Sequence, residues 1–196
     1  MEFEKVVLKR RMVRNFQPTP VPKEVVDKIL GLTLHGPSAG FSQGWAYVVV
    51  QDEKLRNHIG NLQGESDFYA DRFHKFVSEA PLLLVACTSE KIYHDRYREA
   101  DKLQEDGTEI EWPTPYWHFD IGAACMLIFL AAVDAGYASA FTGVFRVQEM
   151  KKLLGIPEHF HPVGVISTGL PAKDVKSPSL KRGRKPPAQV VHYEHW

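Results

Sequence analysis

Apolar residues recur along the chain with two spacings, and each spacing predicts one kind of element. Positions three and four apart share a helix face, whereas short continuous apolar runs rich in branched residues form strands buried on both faces. The helical spacing predicts helices at Phe3–Met12, Val25–Leu34, Asp52–Leu62 and Val147–Leu154. The apolar runs predict strands at Trp45–Val50, Leu82–Ala86, Ala138–Phe145 and Val163–Ser167.

The most apolar segment, Ile121–Val133, has no polar face and lies between Asp120 and Asp134. It is shorter than the roughly 20 residues that a membrane span needs. We therefore expect a buried central helix over about 120–134, ended by Gly136. The order of elements predicts an α+β fold, with a central sheet flanked by helices in a single domain over residues 1–196.

One stretch, Ile92–Trp117, is polar and aromatic and shows no steady period. Long irregular segments inside compact domains are uncommon, and they often serve as lids or binding loops. The segment at about 92–117 is therefore a candidate lid, in which Trp112 and Tyr116 stack on a planar substrate. The alternative is that these aromatic residues only anchor the segment to the surface.

The composition excludes some partners. Lys plus Arg and Asp plus Glu both number 24, so the chain has no net charge with which to attract nucleic acid or a membrane surface. An anion would have to be captured by a local cluster of cations. The two cysteines, Cys87 and Cys125, both lie in apolar stretches, which indicates reduced thiols and a cytoplasmic protein.

The first such cluster of cations runs from Arg10 to Phe16. Arg10 and Arg14 are four residues apart, so on a helix they would share a face and repel each other unless an anion lay between them. A phosphate ester accepts bidentate hydrogen bonds from arginine and suits such a pair. The alternative is a solvated basic helix end.

The second cluster, Gly36–Trp45, is rich in small residues and connects a helix to a strand. Such a loop exposes backbone N–H groups and lets a planar ligand approach closely, although it could also be a plain connection. Gly36–Gly40 matches the G-x-S-x-G pattern of serine hydrolases, but that pattern needs a strand before it and a helix after it. The predicted order is the reverse, which argues against a hydrolase.

No metal site is predicted. His159 and His161, and His192 and His195, have spacings that metal ligands sometimes show. No cysteine, aspartate or glutamate cluster completes either set in sequence. The chain also lacks the glycine-rich patterns of phosphate-binding and Rossmann loops.

Taken together, the two clusters resemble the FMN-dependent nitroreductase family. The shared pattern is paired arginine, then Arg-x-Phe, then Pro-Ser-x-x-x-x-Gln-x-Trp about two dozen residues later. The likeness continues at Asp120–Gly136, Phe141–Phe145, Leu154–Pro157, Gly164–Pro171 and Arg184–Pro186. The resemblance implies an intertwined homodimer in which FMN binds at the interface.

The resemblance also implies a set of cofactor contacts. Arg10 and Arg14 would hold the phosphate, the ribityl chain and the pyrimidine edge of the ring, and the loop Pro37–Gly40 of the other subunit would cover the ring. The implied FMN-binding residues are Arg10, Arg11, Met12, Arg14, Pro37, Ser38, Ala39, Gly40, Thr142, Gly143, Arg182 and Arg184. No side chain need act as a nucleophile or base, because flavin N5 carries the hydride.

The implied activity passes hydride from transiently bound NAD(P)H to an electron-poor small molecule such as a nitroaromatic or a quinone. Two features depart from the family. Met12 stands where many members have serine, and Gly40–Gln43 is closer to the BluB subgroup, which destroys reduced FMN with oxygen. That subgroup usually has an acidic residue at the position of Met12. A BluB-like enzyme and a flavin-sequestering protein without turnover are the alternatives.

Overall fold

The structure is a computed structural model that describes residues 1–68 and 73–196. The helices are α1 (Phe3–Lys9), α2 (Lys23–Thr33), α3 (Glu53–Leu62), α4 (Glu65–Phe68), α5 (Glu90–Tyr97), α6 (Tyr116–Asp134) and α7 (Val147–Leu154). The strands are β1 (Trp45–Val50), β2 (Leu82–Thr88), β3 (Ala138–Gly143) and β4 (His161–Gly169). Single 3-10 turns occur at Ala39–Phe41, Pro178–Arg182 and Pro187–Gln189.

The four strands form one sheet in the order β1-β2-β4-β3, and all neighbours are antiparallel. Every residue of β2 is buried, because helices cover both faces of the sheet at its centre. Ile29 of α2 and Ile128 of α6 pack on one face. Ile59 of α3 and Met150 of α7 pack on the other. The predicted α+β class, with a sheet flanked by helices, is confirmed.

Helix α6 is the longest element, with 19 residues, and begins at Tyr116, four residues before the predicted start. Its length and composition would allow it to cross a membrane, but more than half of its apolar window is buried inside the molecule. Ala124, Ile128 and Ala132 have no exposed surface. Gly136 follows with a φ of +87°, which ends the helix as predicted. The helix is therefore a core element of the fold.

Helix α1 and strand β3 both end earlier than predicted. Helix α1 ends at Lys9 rather than Met12, because Met12 forms a parallel bridge with Ser139 of β3 and Val13 N–H donates to the Ser139 carbonyl. Strand β3 ends at Gly143 rather than Phe145, and helix α5 occupies part of the segment predicted to be irregular. Arg10 and Arg14 consequently do not share a helix face.

Candidate functional site

A basic cavity of about 470 Å³ opens where the extended segment after α1 runs beside the C-terminal tail. The backbone N–H of Arg14 donates to Asp174 Oδ2 over 3.1 Å, and the side-chain Nδ2 of Asn15 donates to the Lys173 carbonyl over 2.6 Å. Its lining residues are Arg10, Arg11, Met12, Arg14, Asp174, Lys176, Ser177, Leu180 and Arg184. The structure thus brings Arg10, Arg14 and Arg184 together as the sequence predicted, although by pairing with the tail and not by helical spacing.

In the part of the chain that the structure describes, no carboxylate neutralises the cations of the basic cavity, because neither its four arginines nor Lys176 forms an ion pair there. Among the described lining residues Asp174 is the one carboxylate, and its Oδ1 atom is buried without a hydrogen-bond partner in residues 1–68 and 73–196. The Arg14 guanidinium lies 4.7 Å from the centre of the Phe73 ring. A cavity with this excess of free positive charge suits an anion.

An apolar cavity of about 320 Å³ adjoins the basic one between α6 and the strands β3 and β4. Its lining residues are Met12, His118, Ile121, Gly122, Cys125, Phe129, Phe141 and Val163. Burial raises the pKa of the Cys125 thiol to about 12, so this side chain stays neutral at physiological pH. Met12 lines both cavities. A ligand with a phosphate at one end and a flat apolar ring at the other would fit the pair.

The end of strand β3 is fixed beside the apolar cavity. The ring of Phe141 lies across Gly164 of β4, where a Cβ atom would come within 2.2 Å of the ring. Buried Gln63 donates from Nε2 to the Gly143 carbonyl over 2.7 Å. Thr142 and Gly143 therefore follow directly on a cavity-lining residue, although neither is itself part of the lining.

The loop Pro37–Gly40 lies away from both cavities of its own chain and forms part of neither lining. It packs against α5 and the start of α6, where Ala39 N–H donates to Asp120 Oδ2 over 2.9 Å. Ser38 Oγ accepts a hydrogen bond from Gln43 N–H over 3.0 Å. The loop is thus ordered within one chain, and its contact with a flavin of a second subunit stays a prediction.

The two candidate substrate residues occupy different environments. The Trp112 ring centre lies 4.6 Å from that of Tyr97, and its indole N–H donates to Glu109 Oε1 over 2.6 Å. This packing favours the anchoring alternative for Trp112. Tyr116 is 43% exposed and available for contact with a ligand. Arg182, predicted at the phosphate, is exposed and does not line the basic cavity.

A third cavity, which the sequence did not predict, is lined by histidines and has a volume of about 650 Å³. It includes His94, His118, His159 and His161, together with Lys91, Arg98 and Lys151. Burial, and then the nearby His118 and Lys151, lower the pKa of His161. Among residues 1–68 and 73–196, no group of three or more His, Cys, Asp or Glu side chains is arranged to hold a metal ion.

Comparison with known proteins assigns the class. The model of the nitroreductase family matches residues 7–170, so the chain belongs to the nitroreductase family. A protein of Methanothermobacter thermautotrophicus named "Putative NADH dehydrogenase/NAD(P)H nitroreductase" is 27% identical over the whole of this chain and 88% of its own length. An iodotyrosine deiodinase of Haliscomenobacter hydrossis is 25% identical over 97% of this chain and 89% of its own length.

Solved structures agree on the fold. NfrA1 of B. megaterium superimposes with a TM-score of 0.79 at 20% identity, over 100% of this chain and 75% of its own. The NADPH:FMN oxidoreductase of Vibrio harveyi in complex with NAD+ gives a TM-score of 0.74 at 22% identity, over 99% of this chain and 77% of its own. The expected nitroreductase fold, with helices around a four-stranded antiparallel sheet, is confirmed.

Proposed function

We propose that the chain binds FMN and transfers hydride from NAD(P)H to an electron-poor small molecule such as a nitroaromatic or a quinone. The observation that carries the proposal is the position of Met12, between an apolar cavity and a cavity whose cations form no ion pair with the described residues. This arrangement matches the phosphate and the ring of FMN. When bound, the flavin ring supplies the hydride chemistry.

The residues of this chain bind and orient the cofactor. Arg10, Arg14 and Arg184 would hold the phosphate through charge-assisted hydrogen bonds, which are stronger than neutral ones. Met12 and Phe141 would contact the ring in the apolar cavity. Positive charge near a flavin favours the form of the cofactor that carries more negative charge, and hence its reduction.

The buried atom Asp174 Oδ1, which has no partner in the basic cavity, is a further sign that a ligand belongs there. Buried carboxylate oxygens are rarely left without a donor. The ribityl chain of FMN carries hydroxyl groups that can donate to such an oxygen. The cations and the lone acceptor of this cavity therefore fit two different parts of the same cofactor.

The relatives support the reaction class and leave the acceptor open. Some are named for NAD(P)H nitroreductase activity and others for deiodination of iodotyrosine, so the family holds more than one acceptor. Tyr116, an exposed aromatic residue at the start of α6, is proposed to help select the acceptor. We expect Tyr116→Ala to change the ratio of kcat/KM for two acceptors of different shape, with Trp112→Ala as the comparison. An unchanged ratio would contradict this role.

We also propose that the protein works as a homodimer in the cytoplasm. Large apolar side chains are exposed along α1 and α6, including Phe3 at 73%, Leu8 at 76%, Phe119 at 67% and Met126 at 44%. A second copy would remove them from water. In such a dimer the loop Pro37–Gly40 of one subunit can cover the flavin of the other. The two buried free cysteines suit a reducing compartment.

The test is anaerobic titration of the FMN-loaded protein with NADPH and with NADH, followed by turnover with a nitroaromatic and with a quinone. We expect the flavin absorbance to bleach on reduction and to recover when the acceptor is added, with steady NAD(P)H oxidation. A protein that binds no FMN would overturn the proposal. Reduction without turnover would indicate sequestration, and loss of the flavin itself would indicate BluB-like chemistry. Sedimentation of a folded, FMN-loaded monomer at micromolar concentration would contradict the dimer.

A further inference from the structure

The loop that runs from Pro37 to Phe41 is tied to a buried carboxylate on α6. Asp120 is 3% exposed, and its Oδ2 atom accepts hydrogen bonds from Ala39 N–H over 2.9 Å and from the Tyr93 hydroxyl over 2.8 Å. Tyr93 belongs to α5 and has no exposed surface. One oxygen atom thus joins the loop, α5 and α6, and hydrogen bonds to a buried charge are among the stronger ones in proteins.

A second contact, also from α5, holds the next residue of the loop. Arg96 Nε donates to the Gly40 carbonyl over 3.0 Å. The other guanidinium nitrogens of Arg96 donate to both carboxylate oxygens of Asp101 over 2.7 Å, and one also donates to Glu99 over 2.9 Å. Because these carboxylates fix the plane of the guanidinium, Nε is already aimed at the loop before any ligand binds.

Ring packing leaves the loop little room to relax. A Cβ atom on Gly40 would lie 2.5 Å from the Tyr97 ring, and one on Gly44 would lie 2.4 Å from the Tyr93 ring. Gly40 has a φ of +60°, and Phe41 and Gln43 have positive φ values of 57° and 53° although they are not glycines. Such backbone conformations are costly for residues with a side chain, and they persist only where surrounding contacts impose them.

We infer that Tyr93, Arg96 and Asp120 are positioning residues, which clamp the loop 37–41 in the conformation that covers the flavin of a second subunit. The inference rests on the proposed function for the flavin and the dimer, and on the hydrogen bonds above for the clamp. It makes α5 a support for the loop that covers the flavin. The predicted lid segment and the predicted flavin loop are therefore joined directly, by the hydrogen bond from Arg96 to the Gly40 carbonyl.

Weakening the contacts that hold the loop should have a different effect from weakening the contacts that bind FMN. Arg10, Arg14 and Arg184, which would hold the phosphate, lie in the basic cavity and not at this loop. Loosening the clamp should therefore leave the dissociation constant of FMN nearly unchanged. It should increase the motion of the loop backbone. It should also slow the reaction of the flavin with NAD(P)H, because the loop no longer fixes the orientation of the flavin ring relative to the donor.

The experiment compares Tyr93→Phe with Tyr47→Phe. Both variants remove one buried tyrosine hydroxyl, but the Tyr93 hydroxyl donates to Asp120 whereas the Tyr47 hydroxyl is buried without a partner. Hydrogen exchange of peptides that cover residues 36–44 is measured on the full-length protein, with and without FMN. We expect Tyr93→Phe to speed exchange of the Ala39 amide about tenfold and Tyr47→Phe to leave it unchanged.

Kinetics supply the second readout. Tyr93→Phe should lower kcat for reduction by NADPH about tenfold while the dissociation constant of FMN stays within about twofold of wild type. Arg96→Gln, which removes the partly buried contact with the Gly40 carbonyl, should act in the same direction. Asp120→Asn retains an oxygen acceptor and should restore part of the loop protection that Asp120→Ala loses.

Two results would overturn the inference. Equal exchange at residues 36–44 in Tyr93→Phe and Tyr47→Phe would show that the hydroxyl does not hold the loop. A parallel collapse of FMN affinity would show that the contacts belong to the binding of the cofactor. A protein that binds no FMN would instead overturn the proposed function, and the exchange comparison would still decide whether Tyr93 and Asp120 hold the loop.

Discussion

The basic cavity and the histidine-lined cavity both contain several cations, yet they differ in how those cations are satisfied. In the histidine-lined cavity, Lys91 pairs with Asp95 over 2.5 Å and Lys151 pairs with Glu158 over 3.0 Å. Arg98 pairs with Glu109 over 2.9 Å. In the basic cavity, none of the cations has a carboxylate within ion-pair distance in the described part of the chain.

This difference indicates which cations are available to bind a ligand and which already stabilise the fold. A cation that already has a carboxylate partner gains little from a second anion, whereas clustered cations without partners repel one another until an anion binds. The larger of the two cavities is therefore the weaker candidate for a phosphate. By volume alone, the histidine-lined cavity would be the stronger candidate for a phosphate site, but its cations already have carboxylate partners.

The largest expected effect comes from the ligand itself. Riboflavin has the ring and ribityl chain of FMN but lacks the phosphate, so it would lose every charge-assisted contact in the basic cavity. We expect it to bind roughly a hundredfold more weakly than FMN, as measured by quenching of flavin fluorescence. Equal affinities for the two flavins would mean that the unpaired cations serve another purpose.

A matched pair of substitutions tests the comparison directly. Arg14→Ala removes a cation that forms no ion pair with the described residues, and it should weaken FMN binding by roughly ten- to a hundredfold, because a contact of this kind contributes about 1.5–3 kcal/mol. Lys91→Ala removes a paired and exposed cation from the histidine-lined cavity and should leave FMN affinity within about twofold of wild type. Similar losses of FMN affinity in both variants would contradict the proposed difference between the two cavities.

Asp174, a carboxylate that lines the basic cavity, allows a finer test. Asp174→Asn removes a negative charge but keeps an oxygen that can accept the Arg14 N–H. The proposed hydrogen bond from a ribityl hydroxyl to Oδ1 is lost in this variant, so FMN should bind about two- to fivefold more weakly. Tighter binding, with a gain that shrinks at high salt, would show instead that the negative charge of Asp174 opposes the phosphate.

The smallest expected effect lies in the histidine-lined cavity. The pKa of His161 is lowered below its usual 6.5 by burial, and then by His118 and Lys151. Below pH 6.5 the unfolded chain binds this proton before the folded protein does. The stability that neutral His161 contributes is therefore present above pH 6.5 and is lost as the pH falls through the folded pKa.

His161→Gln removes this dependence. Between pH 7.5 and pH 5, the melting temperature of the variant should fall less than that of wild type, by on the order of 1 °C, in a thermal denaturation series. A larger fall in the variant would contradict the sign of the pKa shift.

Local patterns predicted most of the elements, and long-range contacts account for the errors. The uniform apolarity of α6 was sufficient to predict a central helix. The end of α1 was not predictable, because it depends on the bridge between Met12 and Ser139, which lie far apart in sequence. Helix α5 was missed because its order depends on contacts with Gly40 and Gly44 and not on an apolar stripe.

In the candidate site too, local motifs were sufficient for some residues, whereas others depend on long-range contacts. The motif identifies the arginines, but their proximity comes from pairing with the C-terminal tail and not from helical spacing. The sequence marks Asp120 only as the boundary of a helix, because a single aspartate before an apolar run gives no sign that it accepts hydrogen bonds from Ala39 and Tyr93. Asp174 gave no signal either, since its role depends on Arg14, 160 positions away.

Helix α6 has one further consequence in the proposed dimer. Asp120, near its first turn, holds the loop that would serve the partner's flavin, while α1, which leads into Arg10, packs against the same helix. A helix of 19 residues is about 28 Å long and nearly incompressible. In that dimer, the length of α6 would help to set the distance between the two cofactors.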